Sequence, residues 1–359
     1  MKTVVVMVAG VTEHPVAEEV WRALEGSVLV RHDLSRITEG VVSRWVDGAL
    51  TVLRLAHGCV SCTLREDLVP LLRSLAGQTV VLHLDPALEP EAVCLALPQD
   101  EVHVETVIAV VDRETWLSDA TGEMSLAERG LGAADDDERT IAQVVVGHAE
   151  FADALVLTGE PGDIRTTAVL DRVAPGTPRH ELSSLDVLAV LAAPKIRLHN
   201  AFGPLLRGLP LEPDGAVATV HFTARRPFHP QRLHEALDVL LEGVVRTRGR
   251  LWVATQPDVA LWLESAGGGL RIGDAGNWLA AVADWSEVEP ERRAMASLDW
   301  DFHYGDRAQD LVIIAHEASP EAITTTLRAA LLTDEELAMG ADLTCSEDPF
   351  AYNAREEAS

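Results

Sequence analysis

The chain has 359 residues, with 57 acidic against 29 lysine and arginine side chains, a formal net charge of −28 at pH 7 and 47% hydrophobic residues. That length exceeds one ordinary hydrophobic core and predicts two domains, while the charge repels phosphate backbones and anionic lipid, so neither direct DNA binding nor a membrane-surface role is expected. No window holds the roughly 18 to 20 apolar residues of a membrane span, and residues 1–9 lack the apolar core and cleavage site of a secretory leader, so a cytoplasmic location is expected.

In chain order, TVVVMVA (3–9) reads as a strand, HPVAEEVWRALEG (14–26) as a helix and SVLVRHDL (27–34) as a second strand. Alternating runs around ITEGVVSRWV and GALTVLRLA then predict a hairpin. After HGCVSCTLRED (57–67) come a helix over 63–76, the strand QTVVLHL (78–84), a helix near 89–97, the strand VETVIAVVD (104–112), a helix over 138–151 and the strand ADALVLTG (152–159). Continuous apolar strands separated by helices imply a mostly parallel sheet covered on both faces, an α/β domain.

The stretch 193–216 is broken by proline and glycine without a sustained period, which marks a linker. Beyond it, VATVHFTA, TRGRLWVAT, DVALWLES and residues 310–315 read as strands, with helices over 229–243 and from 320, giving an α+β domain with an antiparallel sheet. The predicted organisation is a first domain over 1–193, a linker over 194–216, a second domain over 217–345 and a disordered tail over 346–359.

Four cysteines, Cys59, Cys62, Cys94 and Cys345, are too few for a disulfide framework in so long a chain. Cys59 and Cys62 are spaced to reach one Zn²⁺, which takes four ligands. His57, Glu66 and His83 are the candidate remaining donors. A redox pair and inert packing stay open as alternatives, although a helix start just after Cys62 would lower a thiol pKa and favour the chemical roles. His83 also reads as a buried core histidine, Asp85 before Pro86 as a turn residue, Cys94 as core, and Arg225, Arg226, Phe228 and His229 as a link between strand and helix. Trp252 and Trp262 fall in strand patterns, whereas Trp278, Trp285 and Trp300 lie in acidic loop-like sequence and are candidates for a partner surface.

Several colinear motifs, GCVSCTLREDL (58–68), VIAVVDRETWL (107–117), EFADALVLTG (150–159), RPFHPQRL (226–233), RTRGRLWVAT (246–255) and GDRAQDLVIIAH (305–316), resemble the CobW-like family of zinc- and cobalt-handling P-loop GTPases. The resemblance implies a P-loop GTPase-like N-terminal domain, a CobW C-terminal domain and zinc as the metal. Three nucleotide elements depart from it. The stretch AGVTEHPVAEE (9–19) has no lysine and three glutamates, whereas a P-loop needs a lysine for the β and γ oxygens and a hydroxyl for magnesium. Thr158, Gly159, Glu160 and Pro161 stand where the family reads guanine, and His83, Leu84, Asp85 and Pro86 replace its magnesium-side strand. Ser61 replaces the middle cysteine of the family's C-x-C-C.

These departures give the expectation of a pseudo-GTPase that is not an enzyme, with a degenerate nucleotide site near Gly10, Glu13, Thr158 and Gly159 and with GTP not expected as a ligand. They also resemble a branch that recruits a ribosome hibernation factor to the small ribosomal subunit under zinc starvation, which implies a zinc-responsive adaptor whose partners are that factor and the subunit. The alternatives are a GTP-dependent zinc metallochaperone and a thiol redox protein using Cys59 and Cys62.

Overall fold

The computed structural model describes residues 2–12, 14–55, 60–132, 137–192, 195, 202, 205–206, 208–339 and 348–351, without the side chains of 61, 62, 64 and 65. The chain divides into two compact units, Met1–Arg197 and Leu198–Ser359. Among the described residues no helix is long and apolar enough to cross a membrane.

The first unit runs β1 (Thr3–Ala9), α1 (Val16–Ala23), β2 (Val28–Asp33), β3 (Val41–Val46), β4 (Ala49–Arg54), α2 (Val60–Thr63), a π-helical turn (Leu64–Leu68), α3 (Val69–Ser74), β5 (Thr79–His83), α4 (Pro90–Ala96), β6 (Val102–Asp112), α5 (Trp116–Ala120), α6 (Ile141–Phe151), β7 (Ala154–Thr158), α7 (Ile164–Val173), β8 (Arg179–Glu181) and α8 (Val187–Leu191). Its eight strands form one sheet in the order β4-β3-β2-β5-β1-β6-β7-β8. Pairings from β2 through β8 are parallel, and the β2–β3–β4 edge is antiparallel.

β1 lies inside this sheet and is buried on both faces. Val5 and Met7 pack into one core and Val6 and Val8 into the other, all at 0–1% exposure. This is why the strand reads as an unbroken apolar run rather than an alternation, and each such side chain contributes about 2 kcal/mol by leaving water. The expected α/β class and hairpin are present. The helix expected over 138–151 starts at Ile141, because Thr140 caps it: the Thr140 Oγ1 accepts from the Gln143 amide at 3.2 Å, and the Gln143 Oε1 accepts from the Thr140 amide at 2.9 Å. The short elements α5, α7, α8 and β8 were not anticipated.

The second unit runs β9 (Ala218–Ala224), α9 (Pro230–Ala236), β10 (Val244–Leu251), β11 (Val259–Ala266), β12 (Gly269–Asn277), α10 (Pro290–Leu298), β13 (Gln309–Ala315), α11 (Pro320–Ala330) and α12 (Asp334–Met339). Its sheet is antiparallel throughout, in the order β12-β11-β10-β13-β9. The α+β expectation holds, with three corrections. The helix expected over 229–243 gives way after Ala236 to a short 3₁₀ turn, Leu237–Leu240. Gly243 then turns at φ +69°, and its carbonyl accepts the amides of His316, Glu317 and Ala318. β12 was missed because GLRIGDAGN has almost no strand propensity of its own, and the ladder to β11 imposes its conformation. Trp278 is core rather than partner surface: it is 2% exposed and donates from Nε1 to the Val259 carbonyl at 3.0 Å. Phe228 is fully buried and stacks on Phe222, while Arg226 donates to the Leu332 carbonyl, so this motif is the structural link the sequence suggested.

Gly249 sits in β10, paired on both sides, at φ +148°, where a Cβ would overlap the Asp310 carbonyl oxygen. Gly249→Ala is expected to destabilise the protein by about 3 kcal/mol, read as a shift in its urea or thermal unfolding midpoint. Gly273→Ala, with nothing within 4 Å of its Cβ position, is expected to leave that midpoint nearly unchanged.

Candidate functional site

In an open parallel sheet, ligands bind at the carboxyl ends of the strands. Here that edge carries Gly10, His83 to Asp85, Asp112 to Glu114, and Thr158 to Glu160. Glu13 lies outside the described residues. Gly10 approaches β6 so closely that a Cβ would fall 2.9 Å from the Val110 Cβ, so packing against the neighbouring strand already accounts for the glycine. α1 follows at once, and its first residues Val16 and Ala17 are both buried in the core. The first turn therefore presents neither an amine nor a hydroxyl. The two lysines are engaged elsewhere, Lys2 on the Gln99 carbonyl at 2.8 Å and Lys195 on the Thr106 hydroxyl at 2.7 Å.

Across β6 and β7, Gly159 turns at φ +69° against Asp112, whose Oδ1 would lie 2.9 Å from a Cβ there. Thr158 is buried. Arg113 donates to the Gly159 carbonyl at 2.6 Å and pairs with both oxygens of Glu181 at 3.0 and 2.9 Å. It thereby fills the space beyond β7. His14 Nε2 stands 3.6 Å from Asp112 Oδ2. Asp85 accepts the amides of Leu34 and Ala87 at 2.8 and 2.9 Å, and burial raises its pKa, which makes it a buried turn residue tying β5 to the end of β2. The residues of this edge do not reproduce a P-loop phosphate cradle, and no step is derived through a bound nucleotide.

His83 closes β5 between Val8 of β1 and Arg31 of β2. Burial lowers its pKa, with the Glu18 carboxylate acting in the opposite sense. Its Nδ1 and the Glu18 Oε2 are buried without hydrogen-bond partners among the described residues.

The expected metal clasp falls where the described residues stop and resume. His57 and Cys59 lie outside them. Cys62 lies in α2, and only its backbone is described. Glu66 is exposed on the π-helical turn. Among the described residues no three His, Cys, Asp or Glu side chains gather as a metal site.

What anchors that segment is a buried network absent from the sequence reading. Asp67, at 6% exposure, places Oδ2 2.7 Å from His32 Nε2 of β2, and its Oδ1 accepts from Arg44 of β3. One carboxylate thus pins the helical segment after Cys62 to two strands. Its sequence signal was weak, a lone histidine in a strand and an Asp among charged neighbours.

Two family domains match the chain: the CobW/HypB/UreG nucleotide-binding domain over residues 26–159 and the cobalamin synthesis protein CobW C-terminal domain over 217–331. The chain belongs to the CobW family. A Mycobacterium tuberculosis protein named a zinc chaperone is 43% identical, over 98% of this chain and 93% of that protein. A Dictyostelium discoideum zinc-regulated GTPase metalloprotein activator is 26% identical over 81% of this chain and 68% of its own length. The Zn(II)-bound YjiA GTPase from E. coli is a looser likeness, at 13% identity and a TM-score of 0.39, covering 92% of this chain and 99% of that one.

These relatives correct the expectation of a non-enzymatic pseudo-GTPase. The first unit belongs to a nucleotide-binding family, and a relative aligned over most of the chain is named a GTPase. The matched range starts after β1, the 10–15 loop and α1. The departures in that loop concern how phosphates are held, and phosphoryl transfer depends on positioning and charge that other groups can supply. They are no ground for excluding turnover, nor for excluding GTP as a ligand.

Asp67→Ala is expected to cost about 3 kcal/mol, because it leaves the Arg44 charge and His32 without their buried partner. Equilibrium unfolding in urea reads this directly. Glu39→Gln, in the exposed Arg36–Glu39 pair, serves as the control with no expected change.

Proposed function

We propose that this chain is a GTP-dependent zinc chaperone: zinc is its cargo, taken up through Cys59 and Cys62, and the nucleotide-binding domain couples GTP turnover to zinc transfer. The observation that carries the proposal is the setting of the C-x-x-C segment. Cys62 lies in the first helical turn after the β3–β4 hairpin, and the helix behind it is fastened to β2 and β3 through Asp67. The names of the relatives, a zinc chaperone and a zinc-regulated GTPase, support the same choice. They rank zinc delivery above the ribosome-adaptor role, which is no longer the leading expectation. The GTP half of the proposal carries a constraint, since Val16 and Ala17 cannot supply a lysine amine or magnesium-binding hydroxyl. Backbone amides and a carboxylate-bound magnesium are the remaining means of holding phosphates there.

The test compares the full chain with a Cys59→Ser, Cys62→Ser double variant for zinc content and for phosphate release from GTP. About one zinc per chain, lost in the double variant, together with GTP turnover that changes on zinc loading, is the expected result. Zinc retained without the two cysteines would remove the clasp from the proposal. Zinc binding without any GTP binding would remove the nucleotide half.

A further inference from the structure

A cavity of about 520 Å³ opens within the second unit, in the size range of small-molecule sites. Its charged lining is mostly spent. Asp310 sits between His221 Nε2, at 2.8 Å, and Arg250. Asp306 accepts the amides of Leu279 and Ala280 at 2.8 and 2.9 Å. Arg225 donates to the carbonyls of Gly305, Arg307 and Asp299 at 3.4, 3.2 and 2.5 Å.

Besides the exposed Asp299 carboxylate, Arg292 is the exception. It projects from α10, donates to the Asn277 carbonyl and makes no ion pair among the described residues. Its Nε is buried without a hydrogen-bond partner. The guanidinium lies 3.7 Å from the Phe202 ring centroid, and Phe202 meets Trp278 edge to face at 6.2 Å. Burial works against the Arg292 charge, as does neighbouring Arg250, while Asp306 offsets part of this. A partly desolvated guanidinium whose Nη1 has no acceptor among the described residues complements an organic carboxylate through a charge-assisted hydrogen bond. Beside it, Ala224, Met295, Ala296 and Ala308 give the cavity an apolar wall. In a chain of net charge −28, three arginines against three aspartates line this cavity, so the negative excess of the whole chain does not extend to it.

We propose that this cavity binds a small organic carboxylate with an aromatic body, its carboxylate paired with Arg292 and its ring against the apolar wall. The residues that line it all belong to the second unit.

Calorimetric titration of the full chain with 2-naphthoate tests this, with 2-naphthamide as the uncharged analogue of the same shape. One site per chain for naphthoate is expected, with naphthamide binding and the Arg292→Gln variant each weaker by about tenfold or more, the loss typical of a charge-assisted hydrogen bond. Met295→Trp keeps the arginine but fills the cavity, and is expected to abolish binding. If Arg292→Gln does not fold, that variant decides alone. Equal binding of naphthamide, no binding of naphthoate, or naphthoate affinity unchanged in Met295→Trp would overturn the proposal.

Discussion

Double-sided burial of β1 is the constraint on which the first unit depends. A strand with Val5 and Met7 in one core and Val6 and Val8 in the other cannot sit at a sheet edge, so β5 and β6 must flank it. Parallel pairing to both then sends every chain crossing to the same rim. That rim gathers Gly10, His83, Asp112 and Thr158 from positions spread over some 150 residues. The antiparallel β3–β4 hairpin extends the sheet beyond β2, and its return leads straight into the C-x-x-C segment. The strand-end rim and the start of the C-x-x-C segment are therefore consequences of one sheet.

Much of the fold was legible because long apolar runs and amphipathic helices announce themselves. β1, β5, β6 and β7 read as valine- and leucine-rich segments, β9 and β10 as alternations, and β13 as an apolar run. What escaped notice was local sequence overruled by its neighbours. β12, with Gly269, Gly273 and Gly276, is a strand only because β11 offers it a ladder. α10 was hidden in acidic sequence, where Glu287, Glu289 and Glu291 resemble a solvated loop, although Pro290 in its first turn marks a helix start. Trp278 shows the same limit: its acidic surroundings suggest a surface, and only the fold brings Phe202 and Val259 to it.

The candidate site was legible in its residue types and not in its partnerships. The absent lysine at 9–19 and the spacing of Cys59 and Cys62 could be read directly. That Asp67 would join His32 and Arg44 could not, since the three come from β2, β3 and the helical segment and carry no common motif. Asp85 illustrates the converse. A carboxylate at the end of a parallel strand invites a magnesium role, yet both of its oxygens are taken by backbone amides, Leu34 on one and Ala87 on the other. Hydrogen-bond accounting separates the two cases.

Local charge differs between the two units. The strand-end rim is bordered by Asp112, Glu114 and Glu160, and Arg113 beside them is committed to Glu181 and the Gly159 carbonyl. A polyanion meets repulsion there unless a divalent cation intervenes, so magnesium would count for more at this rim than where a P-loop lysine shares the load. In the second unit one cavity holds Asp310 and Asp306 already engaged, while Arg292, held by the Asn277 carbonyl, has no ion-pair partner among the described residues. An overall charge of −28 describes neither place. What each can hold is decided by which charged groups the fold has left without a partner, and that follows from the strand and helix ends that deliver them.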